Sequence, residues 1–367
     1  FFFPPPPAYA IASCLVGSEM CIRDRVKIIK KQELILDPLS QGIIGAVAAQ
    51  QPAKNKHFFI ATILGFLSGM AADLDIFIRS PEDPMLYLEF HRQFTHSLFF
   101  IPLGGLICAL FFYYLFLQKK DITFKQTYIY TTLGYATHGF LDSCTSYGTQ
   151  LLWPFTNYRV AWDTISIIDP LFTAPLVILV IIAVLKKNKS FSYAALSWIF
   201  IYSTFGYIQK ERAIDIGIDL AKSRGHKILN IESKPSFANL IVWKIIYTTE
   251  KSYHIDAVKL GLNTHVYKGD KIDKLDIQHS LPWLDPNSQQ AKDIERFRWF
   301  SKGYIAMSPR APNQIVDVRY SMLPNEGHGL WGIALNPDAD QSEHVKTVSN
   351  RRSGMKVYMR LWEMIIK

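Results

Sequence analysis

Histidines and aspartates at the ends of apolar segments are the residues of this sequence best suited to chemistry. They form three fragments, Asp73–Asp75, His91–His96 and His138–Asp142. Imidazole and carboxylate groups at membrane-helix ends are costly unless they pair, meet water or hold a metal. As ligands they suit zinc, manganese or iron and suit copper(I) poorly. We therefore expect a divalent-metal site holding one or two ions, with zinc the first choice and manganese or iron the alternatives.

The spacing within each fragment indicates where the helices must end. His138 and Asp142 are four residues apart, so one helix places both on the same face, within reach of one ion. The two aspartates of the first fragment are two apart and would diverge on a continuous helix, so that helix must end there. His91 and His96 would diverge by about 140° on a straight helix. We therefore expect His91 in a loop and His96 in the first turn of the next helix.

A site of this composition predicts hydrolysis. A bound divalent ion lowers the pKa of water toward about 7 and polarises a carbonyl or phosphoryl oxygen, and two ions about 3.5–4 Å apart would favour phosphoesters. Asp142 or Asp75 is the candidate general base, and Thr95 or Ser97 can orient a ligand. The expected substrate is an ester or phosphoester of a lipid or another amphiphile that enters from the membrane interface.

Structural explanations exist for each fragment taken alone. His138 and Asp142 can form a hydrogen-bonded pair, Thr95 or Ser97 can cap a helix, and residues 73–75 can mark a hydrated helix end. The remaining polar residues of this region are open in the same way. Arg92 and Arg159 can hold an anionic group or anchor to lipid headgroups, and Asp163 and Asp169 can join the site or, for Asp169, cap a helix.

The elements that must position these residues are membrane helices. The chain has 367 residues, 49% of them hydrophobic and 19% charged, which excludes disorder and low-complexity fibres. Residues 40–210 are apolar and residues 211–367 are polar. We expect an α-helical membrane bundle of five or six helices, some short or re-entrant, in residues 36–210. Its apolar segments are Pro38–Ala49, Phe58–Ala72, Leu98–Leu117, Tyr128–Leu141, Pro170–Leu185 and Tyr193–Ile208.

The distribution of lysines orients this bundle. They concentrate in alternate connections, around residues 54–56, 119–125 and 186–189. Because basic residues stay on the cytoplasmic side, the other connections, which carry the candidate ligands, are expected on the extracytoplasmic face of a bacterial inner membrane. The net charge of +9 suggests nucleic-acid binding only weakly, since the lysines are explained by topology. We therefore expect membrane lipid and no nucleic acid as a partner.

The polar half reads as a soluble α+β domain with a mainly antiparallel sheet, over residues 211–367. Ala213–Ser223 and Gln289–Phe300 are predicted helices. The predicted strands are rich in β-branched and aromatic residues and are bounded by turn residues. They are Lys227–Glu232, Leu240–Thr248, Tyr253–Leu260, Ile305–Ser308, Ile315–Tyr320 and Leu330–Ala334.

Residues 1–25 are set apart from the fold prediction. Four consecutive prolines interrupt the apolar start, and the following stretch resembles a translated sequencing adapter rather than a signal peptide. We expect this leader not to be native. The four cysteines show no paired spacing, so no disulfide framework is expected.

The order of the motifs adds a resemblance to a known family. The chain resembles the YdjM-like, membrane-bound, metal-dependent hydrolases, a family that includes a LexA-binding inner-membrane protein. The resemblance covers roughly residues 36–210, and the tail is similar to longer members. It rests on Asp37-Pro38-Leu39-Ser40-Gln41, Asp73-Leu74-Asp75, His91-Arg92, Thr95-His96-Ser97-Leu98, His138-Gly139, Leu141-Asp142 and Asp169-Pro170.

This resemblance implies the ligand set and one departure from it. The implied metal site consists of Asp73, Asp75, His91, His96, His138 and Asp142. Many members have a histidine where Gln41 stands, so one potential ligand differs here. The family's activity is itself inferred from a similarity to zinc-dependent phospholipases, so the resemblance does not fix the substrate.

A hypothesis of another class is a non-enzymatic membrane scaffold. In that case the polar cluster is structural and the C-terminal domain binds a protein partner. The metal content of the purified protein separates the two hypotheses, since the enzyme should carry about one or two ions per chain and the scaffold none.

Overall fold

The structure, a computed structural model, describes residues 38–350 and 354–366. The leader predicted at residues 1–25 lies outside the described residues. The first half is helical, as predicted. Its helices are α1 Pro38–Gln50, α2 Phe58–Gly69, α3 Leu86–Phe90, α4 Ile101–Phe112, α5 Phe124–Cys144, α6 Pro170–Lys186 and α7 Lys189–Ser223.

Two helical stretches of the described residues are long and apolar enough to cross a membrane. Asn55–Phe77 contains α2 and the 3-10 turns on either side of it, and Leu98–Leu117 contains α4. Pro170–Lys186 is apolar but shorter. The helices lie at the predicted places, whereas only these two meet the length and composition expected of a full span. The expectation of five or six membrane helices is therefore supported only in part.

Small residues allow the bundle helices to touch through their backbones. A Cβ atom added to Gly45 would lie 2.3 Å from the carbonyl oxygen of Gly65, and one added to Gly134 would lie 2.5 Å from the same oxygen. Helices α1, α2 and α5 therefore meet at a contact that no larger residue fits. Helix α5 also packs along α4, which completes the group of helices around the candidate ligands.

Helix α7 is a single helix of 35 residues. The predicted membrane segment Tyr193–Ile208 and the predicted helix Ala213–Ser223 are parts of it, so the expected junction at residues 210 and 211 lies inside a helix. The intervening residues Gln209–Arg212 are good helix formers, and nothing in them interrupts the backbone pattern. One helix thus pairs with α6 in the bundle and then packs on the soluble domain.

The second half contains two antiparallel sheets. The five-stranded sheet has the order β1-β2-β3-β4 with β5 paired to β3, and the four-stranded sheet has the order β6-β7-β8-β9. Three helices accompany them, α8 Ile277–Ser280, α9 Gln289–Phe300 and α10 Met355–Ile366. The strands are β1 Asn230–Pro235, β2 Val242–Thr248, β3 Ser252–Leu260, β4 Thr264–Tyr267, β5 Lys271–Asp273, β6 Ile305–Met307, β7 Gln314–Asp317, β8 Trp331–Ala334 and β9 Lys346–Ser349.

The core of the soluble domain explains why its central strands were predictable. All seven residues of β2 are buried, because α7 covers one face of the sheet and the second sheet lies toward the other. The six predicted strands are present within a few residues, and α9 has the predicted bounds. Strands β4, β5 and β9 and helix α10 were not predicted. The three strands are short and largely exposed, so their hydrophobic pattern is weak. Helix α10 is strongly amphipathic, and its pattern was missed.

Candidate metal centre

The ends of three elements bring the candidate ligands together. Helix α2 ends at Gly69 and continues as a 3-10 turn, Ala71–Phe77, which carries both aspartates of the first fragment. A second 3-10 turn, Phe94–His96, precedes the Leu98–Leu117 span, and α5 supplies the third fragment near its C-terminus. His91 follows α3 in a loop, as the spacing predicts. His96 was expected in the first turn of the next helix, but it lies in a separate 3-10 turn, because the extended backbone of Ser97 interrupts the helix before Leu98.

Four side-chain atoms converge on one point of the bundle. They belong to Asp73, His96, His138 and Asp142, and all lie within 4.8 Å of one another. The Nε2 atoms of the two histidines are 3.0 Å apart. From His96 Nε2, Asp142 Oδ2 is 3.2 Å away and Asp73 Oδ1 is 3.4 Å away. From His138 Nε2, the same two carboxylate oxygens lie at 3.7 Å and 3.3 Å.

These separations match the spacing of ligands around a small cation. Four atoms at tetrahedral positions about 2.0–2.1 Å from an ion stand about 3.3 Å from one another. His138 Nδ1 donates to the carbonyl oxygen of Gly69 at 2.6 Å, so its Nε2 keeps a lone pair for the cluster. Asp73 Oδ1 and Asp142 Oδ2 are buried and accept no well-aligned hydrogen bond. The cluster therefore fits a divalent cation by donor type, spacing and unsatisfied oxygens.

Asp75 positions the imidazole rings of His91 and His96 through their Nδ1 atoms. Its Oδ1 lies 2.8 Å from His91 Nδ1. Its Oδ2 lies 3.2 Å from His96 Nδ1 and accepts a 2.8 Å hydrogen bond from the Thr95 hydroxyl. The same oxygen also accepts from the backbone N–H of Arg92 at 3.0 Å. A carboxylate that receives an imidazole N–H fixes the ring so that its other nitrogen faces the ion.

A second group of possible ligands adjoins the first. Asp73, Asp75 and His91 also lie within 4.8 Å of one another, so Asp73 is common to both groups. All six residues named in the sequence are thus brought together. In the second group, however, Asp75 and His91 already bond directly to each other. The first group offers four converging donors and is the better single-ion site.

Asp142 is fixed by three neighbours. Gln41, the residue that departs from the histidine of many family members, donates from Nε2 to Asp142 Oδ1 at 2.5 Å. The Nε of Arg92 lies 2.9 Å from Asp142 Oδ2, without the alignment of a hydrogen bond. The backbone oxygen of Asp142 accepts a bond from the hydroxyl of Thr145, which also binds Arg92. Gln41 therefore holds a carboxylate of the cluster.

Arg92 and Arg159 do not face lipid or an open site. Arg92 is 1% exposed, stacks over the ring of Tyr147 and has a φ of 64°, in the left-handed region. Arg159 is also buried and donates to the carbonyl oxygen of Gly148 at 2.9 Å and, at 3.4 Å, to that of His91. Neither arginine therefore anchors to a lipid headgroup. Carbonyls, a carboxylate and aromatic rings hold both internally, although the buried Nε of each has no aligned acceptor.

The soluble domain binds the loop that carries His91. Arg296 of α9 binds both carboxylate oxygens of Asp83, at 2.9 and 2.8 Å, and its Nε bonds Glu89 at 2.6 Å. Met85, between these two acids, is buried in the apolar core formed by the soluble domain. Helix α3 is thus tied to the soluble domain on both sides of Met85. The site of the membrane half is held partly by residues of the other half.

Two further contacts tie the α5–α6 connection to the same domain. Tyr147 packs its ring on Phe300 and Trp331, at 5.4 and 6.0 Å between centroids. The hydroxyl of Tyr320 donates to the carbonyl oxygen of Ser146. Because Ser146 follows α5 by two residues, these contacts fix the end of the helix that bears His138 and Asp142.

The pKa values of His91 and His96 are shifted in opposite directions. Burial lowers the pKa of His91 below its ordinary value, which keeps this imidazole neutral at pH 7. Burial acts in the same direction on His96, but hydrogen bonds to Asp142, Asp73 and Asp75 outweigh it and hold the pKa of His96 well above its ordinary value. Before a cation binds, His96 is the counter-charge of this acidic cluster.

The remaining predicted residues have structural partners. Ser97 caps the following turn by accepting from the N–H of Phe100, as one alternative proposed. Asp169 caps α6 and accepts a 2.7 Å bond from the hydroxyl of Tyr202. Asp163 pairs with Lys234 of β1 at 3.0 Å. Neither aspartate joins the cluster.

Comparisons with known proteins support the membrane half. Residues 36–213 match the YdjM inner membrane protein family. Over 124 residues the chain is 32% identical to the uncharacterized protein YfhP of Bacillus subtilis (strain 168), which is 34% of this chain and 36% of that protein. The chain thus spans about a third of the length of this curated relative. No solved structure matches the chain.

These matches agree with the motifs that surround the cluster. The family is described as an inner membrane protein, in line with the two apolar helices. The recognition made from the sequence fragments is confirmed, and the match to the YdjM inner membrane protein family, over residues 36–213, contains every member of the cluster.

Proposed function

We propose that this protein is a metal-dependent hydrolase of the bacterial inner membrane that cleaves an ester or phosphoester of an amphiphile. The observation that carries the proposal is the convergence of two imidazole nitrogens and two carboxylate oxygens at separations of 3.0–3.7 Å. Such a set is costly in a bundle interior unless a cation compensates it. The scaffold hypothesis must explain the same two buried oxygens with the charges of Arg92 and His96 alone.

The four residues that would hold the ion are Asp73, His96, His138 and Asp142, with zinc the first choice and manganese or iron the alternatives. Because four protein ligands complete a tetrahedral site, a divalent ion bound there would supply a water of lowered pKa and polarise the scissile group only at a further coordination position or with one carboxylate released. A second ion at Asp73, Asp75 and His91 would require the direct contact between the last two to open. We therefore assign one ion per chain to the resting protein.

The other side chains orient the ligands and shape the access. Asp75 and Thr95 act as positioning residues, because their polar atoms are committed to His91, His96 and each other. Asp142 is the candidate base, held by Gln41 and Arg92. Asp73 is the only one of the four ligands whose side chain is partly exposed, at 19%. We propose that substrate and water approach on the side of Asp73.

The position at a bundle end accounts for an amphiphilic substrate. Asp73 follows the apolar α2 directly, and the neighbouring Leu74 and Phe77 are 62% and 76% exposed. A polar reacting group beside an exposed apolar surface suits a molecule whose headgroup reaches the cluster while its chain stays in lipid. The distribution of lysines places this end on the extracytoplasmic face in our proposal.

The test compares metal content and hydrolysis in matched variants. His96→Ala and Asp142→Ala each remove one of four donors, and His279→Ala removes an exposed imidazole of α8. We expect the purified wild type and His279→Ala to carry about one zinc or manganese per chain and both cluster variants to lose it. Elemental analysis measures this, and a panel of phosphodiester, phosphomonoester and carboxylester lipids measures activity.

The outcomes separate the two hypotheses. Loss of metal and of hydrolysis in both cluster variants, with membrane insertion unchanged, supports the enzyme. If wild-type protein carries no metal after growth in supplemented medium, the scaffold hypothesis is the one that remains. Metal without hydrolysis of any lipid in the panel would restrict the proposal to metal binding.

A further inference from the structure

A cavity lies in the soluble domain, where the end of α9 meets the ends of β1, β2 and β3. Its volume is about 290 Å³, many times the roughly 15 Å³ that one water requires. Three cationic residues line it, Lys274, Arg298 and Lys302, and none of the described lining residues is acidic. A concave surface with three like charges concentrates positive potential.

The three cations are poorly compensated by the protein. Lys274 and Lys302 form no ion pair among the described residues, and their only described partners are the rings of Tyr253 and Tyr158, at 5.8 and 5.6 Å. Arg298 uses only its Nε, toward the exposed Glu295, so its two terminal nitrogens remain available. Burial, and then the nearby Lys234, lower the pKa of Lys302, although Glu232 and Asp163 act against them.

The neutral groups of the cavity are already engaged. The amide of Asn230 donates to the hydroxyl of Tyr304 at 2.9 Å, and the hydroxyl of Tyr253 donates to the carbonyl oxygen of Gly303 at 2.6 Å. Apart from the Tyr304 hydroxyl, which only accepts in its bond with Asn230, the side-chain donors left to a ligand are the cationic nitrogens. Recognition here is by charge, which favours an anion with several oxygens over a neutral sugar or amide.

The connection between α5 and α6 lies beside both this cavity and the start of a membrane span. Lys302, which lines the cavity, lies over the ring of Tyr158 in this connection. Three residues earlier, Phe155 is 78% exposed and packs on Phe99 at 5.6 Å. Phe99 belongs to the first turn of the Leu98–Leu117 span. Exposed aromatic side chains at the start of a span occupy the headgroup level of a bilayer, and the cavity adjoins the connection that carries them.

We propose that this cavity binds the phosphate group of an anionic phospholipid headgroup from the same membrane. The three cations supply charge-assisted hydrogen bonds to phosphate oxygens, and the exposed aromatic residues lie beside the lipid chains. The cavity is separate from the His and Asp cluster, and its ligand does not depend on the proposed hydrolysis. Its role is to hold the soluble domain against the bilayer surface.

Short-chain lipids test the proposal on the full chain in detergent. Dihexanoylphosphatidylglycerol is titrated by calorimetry, with dihexanoylphosphatidylcholine and inorganic phosphate as separate arms. We expect phosphatidylglycerol to bind, phosphatidylcholine to bind at least tenfold more weakly, and phosphate to compete only at much higher concentration. Lys302→Gln should weaken binding about fivefold, and the combination with Lys274→Gln and Arg298→Gln should abolish it.

The control is Lys292→Gln, which removes an exposed lysine from the same helix, α9, away from the cavity. It should bind as the wild type does. Equal binding of the two lipids, or unchanged binding in the triple variant, would overturn the proposal. Inorganic phosphate that binds as tightly as the lipid would overturn the lipid assignment and leave a site for soluble phosphate. An unchanged melting temperature and metal content show that the triple variant is folded.

Discussion

The membrane bundle and the soluble domain place polar and apolar groups in opposite ways. In α4, Leu103, Ile107 and Phe111 are 49%, 53% and 53% exposed, whereas every residue of β2 is buried. The bundle instead buries His138 and Asp142. An apolar exterior of this kind is stable in lipid. Inside a membrane bundle, a buried charged side chain is costly unless it is paired. The comparison teaches that the polar interior of the bundle is where the proposed metal site lies, whereas the interior of the other domain is an apolar core.

The largest expected effect is the difference between an aspartate substitution in the bundle and one in the soluble domain. Ile107→Asp puts a carboxylate on the exposed face of the Leu98–Leu117 span, and Leu262→Asp puts one on the fully exposed turn between β3 and β4. The first should cost about 3 kcal/mol of membrane insertion free energy, and the second should cost nothing measurable. Membrane-fraction yield and melting temperature in detergent measure both.

Equal tolerance of the two variants would break the comparison. It would mean that the exposed surface of α4 meets water or protein rather than lipid. Ile107→Leu is the control for side-chain volume and should behave as the wild type does.

A smaller effect is expected where the two regions meet. Arg296→Ala removes the fork that binds Asp83 and Glu89 on either side of Met85. The groups are about a quarter exposed, so screening limits the loss to about 1–2 kcal/mol. Because the loop also carries His91, we expect metal affinity to fall about three- to tenfold. Competition with a fluorescent chelator measures this, and Lys292→Ala on the same helix is the control.

Arg296→Lys sharpens the result. A lysine keeps the charge but cannot bind two carboxylates in a fork, so it should restore only part of the affinity. A loss of stability without any change in metal affinity would show that the soluble domain packs on the site without holding its loop.

The last effect concerns a titration within the soluble domain and appears only as a change of stability with pH. Burial lowers the pKa of Lys244 from 10.5 to about 7, although Asp317, Asp270 and Glu326 act against it. Between these pH values the unfolded chain keeps a proton that the folded chain has released. Stability should therefore rise with pH in that window, by at most about 1.4 kcal/mol per unit, and should not depend on this group below pH 7.

Lys244→Met removes this dependence. The melting temperature of the variant should rise less between pH 7.5 and 9.5 than that of the wild type, whereas Lys346→Met, at an exposed position, should follow the wild type. Parallel curves for wild type and Lys244→Met would show that Lys244 stays protonated, held by its bonds to Ser321 Oγ and the Glu326 carbonyl oxygen.

The fold was predictable where one local signal was strong. Helix α9 has its predicted bounds because Ser288 caps it and its apolar residues recur on one face. Helix α7 was divided in the prediction because its composition changes at Gln209, yet composition does not end a helix without a breaking residue. The short strand β5 has no such signal. Its place depends on pairing with β3, which is a long-range contact.

The site was predictable in its members and less so in their roles. Histidines and aspartates stand out in apolar sequence, so the six residues could be named. The sequence does not reveal that Asp75 lies behind both loop histidines, since this depends on how the 3-10 turn after Gly69 faces the loop. Nor does it reveal that Arg92 pairs with Asp142, 50 residues later, rather than facing lipid.

The contact among Gly45, Gly65 and Gly134 limits which substitutions this chain can tolerate. Helix α5 reaches His138 one turn after Gly134, and Gly69, one turn after Gly65, supplies the carbonyl that fixes the His138 ring. A methyl group added at any of the three would separate backbones that side-chain rotation cannot bring back. Three residues without side chains, none of them a candidate ligand, should therefore tolerate substitution poorly, whereas the lipid-facing surface can exchange one apolar residue for another.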